Sequence, residues 1–252
     1  MILIDKLAYS SAIRDRNTGV KCAFALGTLL ICVGIRTMPI ALLILVVMTG
    51  LTLRWSNVSG KTYLKMMTAP LIFLVLGTIV VAFDFTMAGI TYTSHSLLYA
   101  LRLVLVSLAS VSCLYFLTLT TPTLDTLGLL KKIRCPWIVI ELMVLIYRFI
   151  FVLLDIAFAI TTAQNCRLGN RNVRTGLRSM GQMLARVLVL AMHKTTVLFD
   201  SMEARCYDGK MQVLFISAPV RAGEVVAVAL FLSLLLGAGI FTRVYGGEIW
   251  AV

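Results

Sequence analysis

The run VVAVALFLSLLLGAGIF occupies residues 225–241 and contains no charged residue. At about 1.5 Å per residue, a helix of this length nearly crosses the hydrocarbon core of a membrane. The rest of the chain has the same character, since 60% of its 252 residues are hydrophobic and 13% are charged. A soluble globular protein has about 45–50% apolar and about 25% charged residues, and a disordered chain is far less hydrophobic. The sequence therefore predicts a polytopic membrane protein.

Working outward from this run, we expect five membrane-spanning helices, at residues 22–35, 40–53, 71–92, 97–118 and 223–242. The first two flank residues 36–39 (RTMP), where a charge and a helix-breaking proline predict a tight turn. Each of these two runs is only about 21 Å long as a helix, so flanking residues must extend it or the bilayer must thin.

The distribution of charge predicts the orientation. The chain has 23 basic and 11 acidic residues, and five crossings place every basic residue except Arg36, Arg102 and Arg243 on the amino-terminal side. Basic residues collect on the cytoplasmic side of membrane proteins. We therefore expect a multi-pass protein of the cell (inner) membrane, with a cytoplasmic amino terminus and an outer carboxyl terminus. The predicted divisions are a membrane domain at 1–118, a cytoplasmic domain at 119–221 and a last span with a short tail at 222–252.

The cytoplasmic segment contains a long apolar stretch at 137–164, WIVIELMVLIYRFIFVLLDIAFAITTAQ. Its polar positions Glu141, Arg148, Asp155 and Thr162 recur every seven residues, which places them on one stripe of a helix. Two interpretations stay open. The helix spans the membrane with its charges facing other helices, or it lies at the membrane interface with its stripe toward water or a neighbouring helix.

A second helix is predicted at about 172–204, with a basic face opposite leucines and valines. That face comprises Arg171, Arg174, Arg178, Arg186 and His193. Basic amphipathic helices bind membrane surfaces or partner proteins. Nucleic acid is not expected as a partner, since no aromatic platform accompanies the arginines.

An arginine lies close to the end of each helix, Arg167 in the first and Arg205 in the second. A cation in this position interacts favourably with the negative end of the helix dipole, and an arginine there could equally donate hydrogen bonds to a partner's carboxylate. Spacing alone does not separate these two roles.

The ordered set of motifs in this half of the chain resembles the transmembrane T-component of energy-coupling factor transporters, in particular the CbiQ-type branch that takes up cobalt or nickel. The set comprises residues 117–122 (LTLTTP), Pro136, Glu141-Leu142, residues 147–155 (YRFIFVLLD), Cys166-Arg167-Leu168 and residues 201–205 (SMEAR). The resemblance implies an all-α membrane protein of about five transmembrane helices with a cytoplasmic-side domain of long amphipathic coupling helices.

The resemblance also implies partners and roles. Members of that family couple two cytosolic ABC ATPase subunits to a small substrate-binding membrane subunit, and two arginine signatures insert into grooves of the ATPases. By position, this assigns ATPase coupling to Arg167 and Arg205, together with Cys166, Glu203 and Ala204. The family's glycine after each arginine is replaced by Leu168 and Cys206. Bulk at these positions predicts a looser fit in the grooves.

The chain lacks several sequence motifs that are typical of enzymes. It contains no P-loop, no H-E-x-x-H and no G-x-S-x-G sequence. We therefore expect no enzymatic activity, no cofactor and no metal site in this chain, with ATP bound by the partner subunits and lipid as the surrounding medium. The alternative is a free-standing permease or channel in which Asp84, Arg102, Glu141 and Arg148 line a path.

Overall fold

The computed structural model describes the backbone of residues 3–82, 84–86, 89–91, 94–209 and 218–245, and side chains over slightly shorter ranges. Helices dominate these residues, with one short antiparallel strand pair, β1 (Asp84–Thr86) and β2 (Gly89–Thr91). The helices are α1 (Leu3–Tyr9), α2 (Thr18–Ile35), α3 (Met38–Trp55), α4 (Gly60–Ala82), α5 (Ser94–Thr120), α6 (Thr123–Lys132), α7 (Trp137–Cys166), α8 (Val173–Glu203) and α9 (Ala222–Tyr245). The chain is an all-α membrane protein, as predicted.

The first two apolar runs form a helical hairpin, and both extend into their flanks. α2 and α3 each have 18 residues, about 27 Å of helix. The Asn17 side chain accepts a hydrogen bond from the Gly19 amide and so caps the start of α2. Arg36 adopts a left-handed conformation (φ 54°) at the turn, and Pro39 falls within the first turn of α3, where a proline costs no hydrogen bond.

The predicted span at 71–92 is wrong at both ends. α4 begins at Gly60 and runs through Pro70, which therefore does not start the helix. A proline removes one backbone hydrogen bond, but membrane helices tolerate it because neighbouring groups satisfy the freed carbonyl. At the other end, Asp84 lies in β1, beyond the helix. The spans predicted at 97–118 and 223–242 correspond to α5 and α9.

The described helices form two compact units, one comprising Met1–Thr126 with Ile216–Val252 and the other Leu127–Phe215. In the first unit, α5 packs against α2, α3 and α4. Its buried residues Ala109, Cys113 and Phe116 join Ile44 and Met48 of α3 in the main hydrophobic core.

Cysteines contribute to this core as small apolar residues. Cys22, Cys32 and Cys113 are buried and form no disulfide, whereas Cys166 and Cys206 are exposed thiols. The two exposed cysteines lie at the ends of α7 and α8, beside the hydrophilic turns that follow these helices.

A buried cation holds the carboxyl end of α5 in the first unit. The Lys21 ammonium donates to the backbone oxygens of Arg14 (3.1 Å) and Thr120 (3.4 Å), and the Ser11 hydroxyl also donates to the Thr120 oxygen. These donors satisfy a carbonyl at the negative end of the α5 dipole. The amino-terminal segment is thereby fixed to the membrane helices.

Six of the described helices are long and apolar enough to cross a membrane, one more than predicted. The additional helix is α7, with 30 residues, for which the sequence left both a spanning and an interfacial position open. Length and composition alone define this set, so they do not decide between those positions.

Candidate functional site

Arg167 and Arg205 occupy matching places in the second unit. Arg167 directly follows α7, and Arg205 lies two residues beyond the end of α8. Both side chains are exposed to solvent. We call residues 166–169 and 203–207 the first and second arginine turns.

The two arginine turns share one backbone pattern. In the first turn, the Arg167 and Leu168 amides each donate to the carbonyl three residues earlier, and the Gly169 amide donates to the carbonyl five residues earlier, that of Gln164. The second turn has the same three bonds, from the amides of Arg205, Cys206 and Tyr207. The last of these bonds defines the Schellman motif, which closes a helix with one left-handed residue.

In both turns the left-handed residue directly follows the arginine, since Leu168 and Cys206 each have a φ of 57°. Glycine is the residue that adopts this conformation without steric cost, which explains the glycine of the family pattern. Leu168 and Cys206 are exposed, and Leu168 retains 69% of its surface. The turn conformation is thus formed without the glycines.

The remaining coupling candidates also belong to the two turns. Cys166 is the last residue of α7, Glu203 is the last residue of α8, and the Glu203 carbonyl accepts the Cys206 amide. Ala204 is right-handed (φ −61°), and its amide donates to the Asp200 carbonyl. All three are exposed, so the second turn presents a small residue beside its arginine.

Hydrogen bonds between α7 and α8 fix the first arginine turn. The Gln164 amide donates to the Ser179 backbone oxygen at 2.9 Å, and the Ser179 hydroxyl donates to the Gly169 oxygen at 3.0 Å. A Cβ at Gly169 would lie 2.8 Å from the Ser179 Oγ, so a side chain there would displace the hydroxyl that binds the Gly169 oxygen. The start of α8 carries a capping box formed by Asn172 and Thr175.

At the other end of the pair, the Tyr207 hydroxyl donates to a carboxylate oxygen of Glu141. Glu141 is buried near the start of α7, so this hydrogen bond links the start of α7 to the second arginine turn. The bond raises the pKa of Tyr207 to about 12, because the neutral phenol is the donor. No sequence motif indicates Tyr207, since its partner lies 66 positions away.

The side chains of the predicted polar stripe on α7 differ in their exposure to solvent. Glu141 is buried and hydrogen bonded, whereas Arg148 and Asp155 are exposed. Spacing by seven places these side chains on one face, but it does not show how much of that face a neighbour covers. The stripe therefore contributes one structural carboxylate and two surface charges.

α7 and α8 form an antiparallel pair. Gln164 bonds to α8 residue Ser179 at one end, Thr161 contacts Met183 nearby, and Glu141 meets Tyr207 at the other end. α8 has 31 residues and is about 46 Å long, so nearly its full length separates the two arginine turns.

α8 leaves a broad apolar surface uncovered beside its arginines. Large side chains along it retain half or more of their surface, namely Leu177, Met180, Leu184, Leu188, Val189 and Met192. Exposed apolar patches of this kind mark protein or membrane contacts. The predicted amphipathic helix is confirmed, and these six apolar side chains are exposed.

The residues of the alternative permease path differ in their surroundings. Arg102 lines a cavity together with Arg36, whereas Arg148 is exposed on α7 and Glu141 binds Tyr207. The Asp84 side chain lies outside the described residues. Among the described residues, no three His, Cys, Asp or Glu side chains group in a way that could hold a metal ion.

Comparison with known proteins shows what the chain is similar to. A family model described as "Cobalt transport protein", CbiQ, matches residues 10–214. The cobalt transport protein CbiQ of Rhodobacter capsulatus is 34% identical over 84% of this chain and 86% of its own length. That of Salmonella typhimurium is 29% identical over 66% of this chain and 79% of its own length.

A third relative is a putative fused cobalt transport protein, CbiMQ, of Methanocorpusculum labreanum. It is 32% identical over 93% of this chain, which spans only 41% of the fused protein. The family match covers most of the chain, including both arginine turns, so this chain belongs to the CbiQ family of cobalt transport proteins.

Proposed function

We propose that this chain is the coupling scaffold of an energy-coupling-factor type importer for cobalt or nickel ions. It transmits ATP-driven motion from two cytosolic ATPase subunits to a membrane subunit that captures the ion. The observation that carries this proposal is the pair of arginine turns, alike in backbone conformation and placed at opposite ends of α8.

The arginine turns suit two separate docking events. Each presents one guanidinium beyond a helix end, and a guanidinium forms bidentate hydrogen bonds with carboxylates. Because α8 is about 46 Å long, one acidic groove is unable to receive both arginines. Two ATPase subunits, each with its own groove, match this arrangement.

The uncovered apolar surface of α8 supports a membrane partner. Leu177, Leu184 and Leu188 lie along one side of the helix and are 66%, 56% and 65% exposed. Burying such side chains stabilises an interface, at about 25 cal/mol per Å². The fused relative, whose length extends well beyond the part this chain matches, supports a second component that acts beside it.

The pairing of α7 with α8 supports an interfacial position for α7. Hydrogen bonds tie α7 to α8 at both ends, so a membrane-crossing α7 would carry α8 into the lipid with it. α8 contains Arg178, Arg186 and Lys194, each costly at the bilayer centre. Five crossings then remain, with the amino terminus in the cytoplasm and the carboxyl terminus outside.

Metal transport through this chain alone has less support. Arg36 and Arg102 line one cavity of the first unit, and guanidinium groups repel a divalent cation. We therefore assign ion capture to the partner and treat cobalt as the transported substrate.

The test is purification of the assembled transporter with its ATPases, followed by ion uptake in vesicles. Arg167→Ala and Arg205→Ala should each weaken ATPase binding or ion uptake. The double variant should abolish both ATPase binding and ion uptake. Arg167→Lys and Arg205→Lys should recover little, because lysine lacks the planar fork.

Arg134→Ala and Arg171→Ala are the matched controls, since both are exposed arginines in turns of the same unit. Full uptake by the double variant, or equal losses in the controls, would refute the coupling role. Uptake by this chain in vesicles without any partner would establish the permease instead.

A further inference from the structure

Two exposed arginines, Arg174 and Arg178, lie one turn apart on α8. Among the described residues, neither side chain forms an ion pair or a hydrogen bond. A spacing of four residues is about 6 Å along the axis, so the two side chains are neighbours on the helix surface. We call these two residues the α8 arginine pair.

The sequence around the α8 arginine pair contains no compensating acid. Residues 156–199 include six Arg or Lys residues and no Asp or Glu. Gln164 of α7 lies level with Ser179 of α8, and Asp155, the closest carboxylate along α7, is nine residues or about 13 Å from Gln164. Along α8 the first carboxylate after the pair is Asp200. This part of the second unit therefore has an excess of positive charge.

The α8 arginine pair flanks the exposed apolar side of its helix. Leu177 and Leu184 on that side are 66% and 56% exposed. Successive residues of a helix are rotated by about 100°, so Arg174 lies about 60° and Arg178 about 100° from Leu177 around the axis. Arg186 follows Leu177 by nine residues, about two and a half turns, so it lies on the opposite side. An apolar side flanked by cations is typical of a helix that lies in the membrane interface.

We propose that the α8 arginine pair binds the phosphate of an anionic phospholipid in the cytoplasmic leaflet. The inference rests on the interfacial position proposed above for α7 and α8. In that position the apolar side of α8 faces the membrane and the partner within it, and the flanking arginines lie at the depth of the lipid head groups.

The chemistry of the pair favours a lipid phosphate. A guanidinium binds a phosphate through two parallel hydrogen bonds, and the negative surface of the cytoplasmic leaflet attracts cations beside the membrane. A phospholipid also accounts for the exposed leucines next to the arginines, because its acyl chains and its phosphate occupy adjacent depths. An acidic protein surface would need the arginines alone.

A fluorophore beside the pair measures lipid contact in the full chain. Gly181→Cys provides the attachment site, since a Cβ at Gly181 meets no atom within 4 Å, and the cysteines that are not buried, Cys135, Cys166 and Cys206, are changed to serine. The labelled chain is reconstituted in phosphatidylcholine nanodiscs. Phosphatidylglycerol or phosphatidylcholine is then added, each carrying the same nitroxide quencher on its acyl chain close to the head group.

The proposal predicts that both lipids quench the label but that phosphatidylglycerol does so at a lower mole fraction. We expect a preference of roughly 25-fold, which is fivefold for each of the two cations. Raising the ionic strength from about 0.1 M to about 1 M should largely remove it, because the Debye length falls from about 10 Å to about 3 Å.

Substitutions test whether the preference comes from the pair. Arg174→Gln and Arg178→Gln should each reduce it to roughly fivefold, because one cation is removed. Arg178→Lys should keep part of the difference, since lysine retains the charge but not the planar fork. Arg186→Gln is the matched control, because Arg186 is exposed on the opposite side of the same helix, and it should leave the preference unchanged.

Four results would overturn the proposal. Equal quenching by the two lipids, or an equal loss in Arg186→Gln and Arg178→Gln, would refute the lipid site and leave the interfacial position intact. No quenching by either lipid would refute the interfacial position as well. Removal of the preference by soluble glycerol phosphate would mean a site for a small soluble anion, and its removal by bound ATPases would assign the pair to an acidic protein surface. Arg167 and Arg205 are unchanged throughout, so the coupling role is tested separately.

Discussion

The left-handed conformation of the residue after each arginine predicts that glycine at this position stabilises the turn. Leu168→Gly should stabilise the first arginine turn relative to Leu168→Ala. Both substitutions remove an exposed side chain, so their difference isolates the backbone conformation at φ 57°. The same comparison applies to Cys206 in the second turn.

The magnitude follows from two opposing contributions. A left-handed conformation costs an L-residue about 1–2 kcal/mol, which glycine avoids. Glycine in turn gives up about 0.5–1 kcal/mol, because its unfolded backbone is more disordered. The net advantage of glycine over alanine is about 0.5–1 kcal/mol, which corresponds to roughly two- to fivefold in the local opening equilibrium.

Amide hydrogen exchange by mass spectrometry measures this opening directly. The Gly169 amide donates to the Gln164 carbonyl, and the Tyr207 amide to the Met202 carbonyl, so each reports its own turn. Exchange at Gly169 should be about two to five times slower in Leu168→Gly than in Leu168→Ala.

Ala204→Gly is the control in which glycine should destabilise the turn, because Ala204 is right-handed and glycine has no steric advantage there. Exchange at Tyr207 should become about two to five times faster in this variant. Equal exchange in Leu168→Gly and Leu168→Ala, or faster exchange in the glycine variant, would contradict the assigned turn geometry.

Three further predictions concern the helices that support the site. Tyr207→Phe should destabilise the α7–α8 pair by about 1–3 kcal/mol, since it removes a donor from buried Glu141, and exchange in 141–145 should quicken accordingly. Burial raises the pKa of Asp125, although Lys21 and Arg14 lower it in part, so the stability contributed by this group falls as pH rises from its unfolded value through its raised folded value. Asp125→Asn keeps this side chain uncharged, so in thermal unfolding it should be more stable than the parent chain above about pH 3.9, the pKa of an unfolded aspartate, and the difference should grow as the pH rises. Gly27→Leu should destabilise the fold by about 1–3 kcal/mol, because a Cβ there would lie 2.9 Å from the Leu232 side chain of α9; a Cβ at Gly34 meets no atom within 4 Å, so Gly34→Leu should cost less.

Hydropathy predicted the membrane class and most of the helices, because long apolar runs are a direct consequence of solvation by lipid. It failed at Pro70, where the expected helix start is a helix interior. The local rule for proline assumes that water or a new helix takes the lost hydrogen bond, whereas packing within a membrane bundle tolerates it.

The sequence indicated the two arginines of the candidate site but not the turns that hold them. A resemblance indicated Arg167 and Arg205, yet neither the left-handed residues nor the bond from Tyr207 to Glu141 has a sequence signature. Leu168 in particular is a poor choice for a left-handed position by intrinsic preference. Tertiary pairing of α7 with α8 sets these features, and spacing within one helix carries no information about it.

The double attachment of α7 to α8 bears on how motion could pass through this chain. A helix resists compression along its axis, so displacement of the proposed ATPase partners would move α8 as a rigid rod with an arginine turn at each end. Because Gln164 and Glu141 tie α7 to that rod near both ends, α7 would follow it without an intervening hinge. Coupling requires such contiguous, stiff elements.

Loss of the Tyr207 bond would free one end of α7 while leaving both arginines in place. ATP hydrolysis in Tyr207→Phe should then continue with reduced ion uptake, an uncoupling that substitution of either arginine should not reproduce.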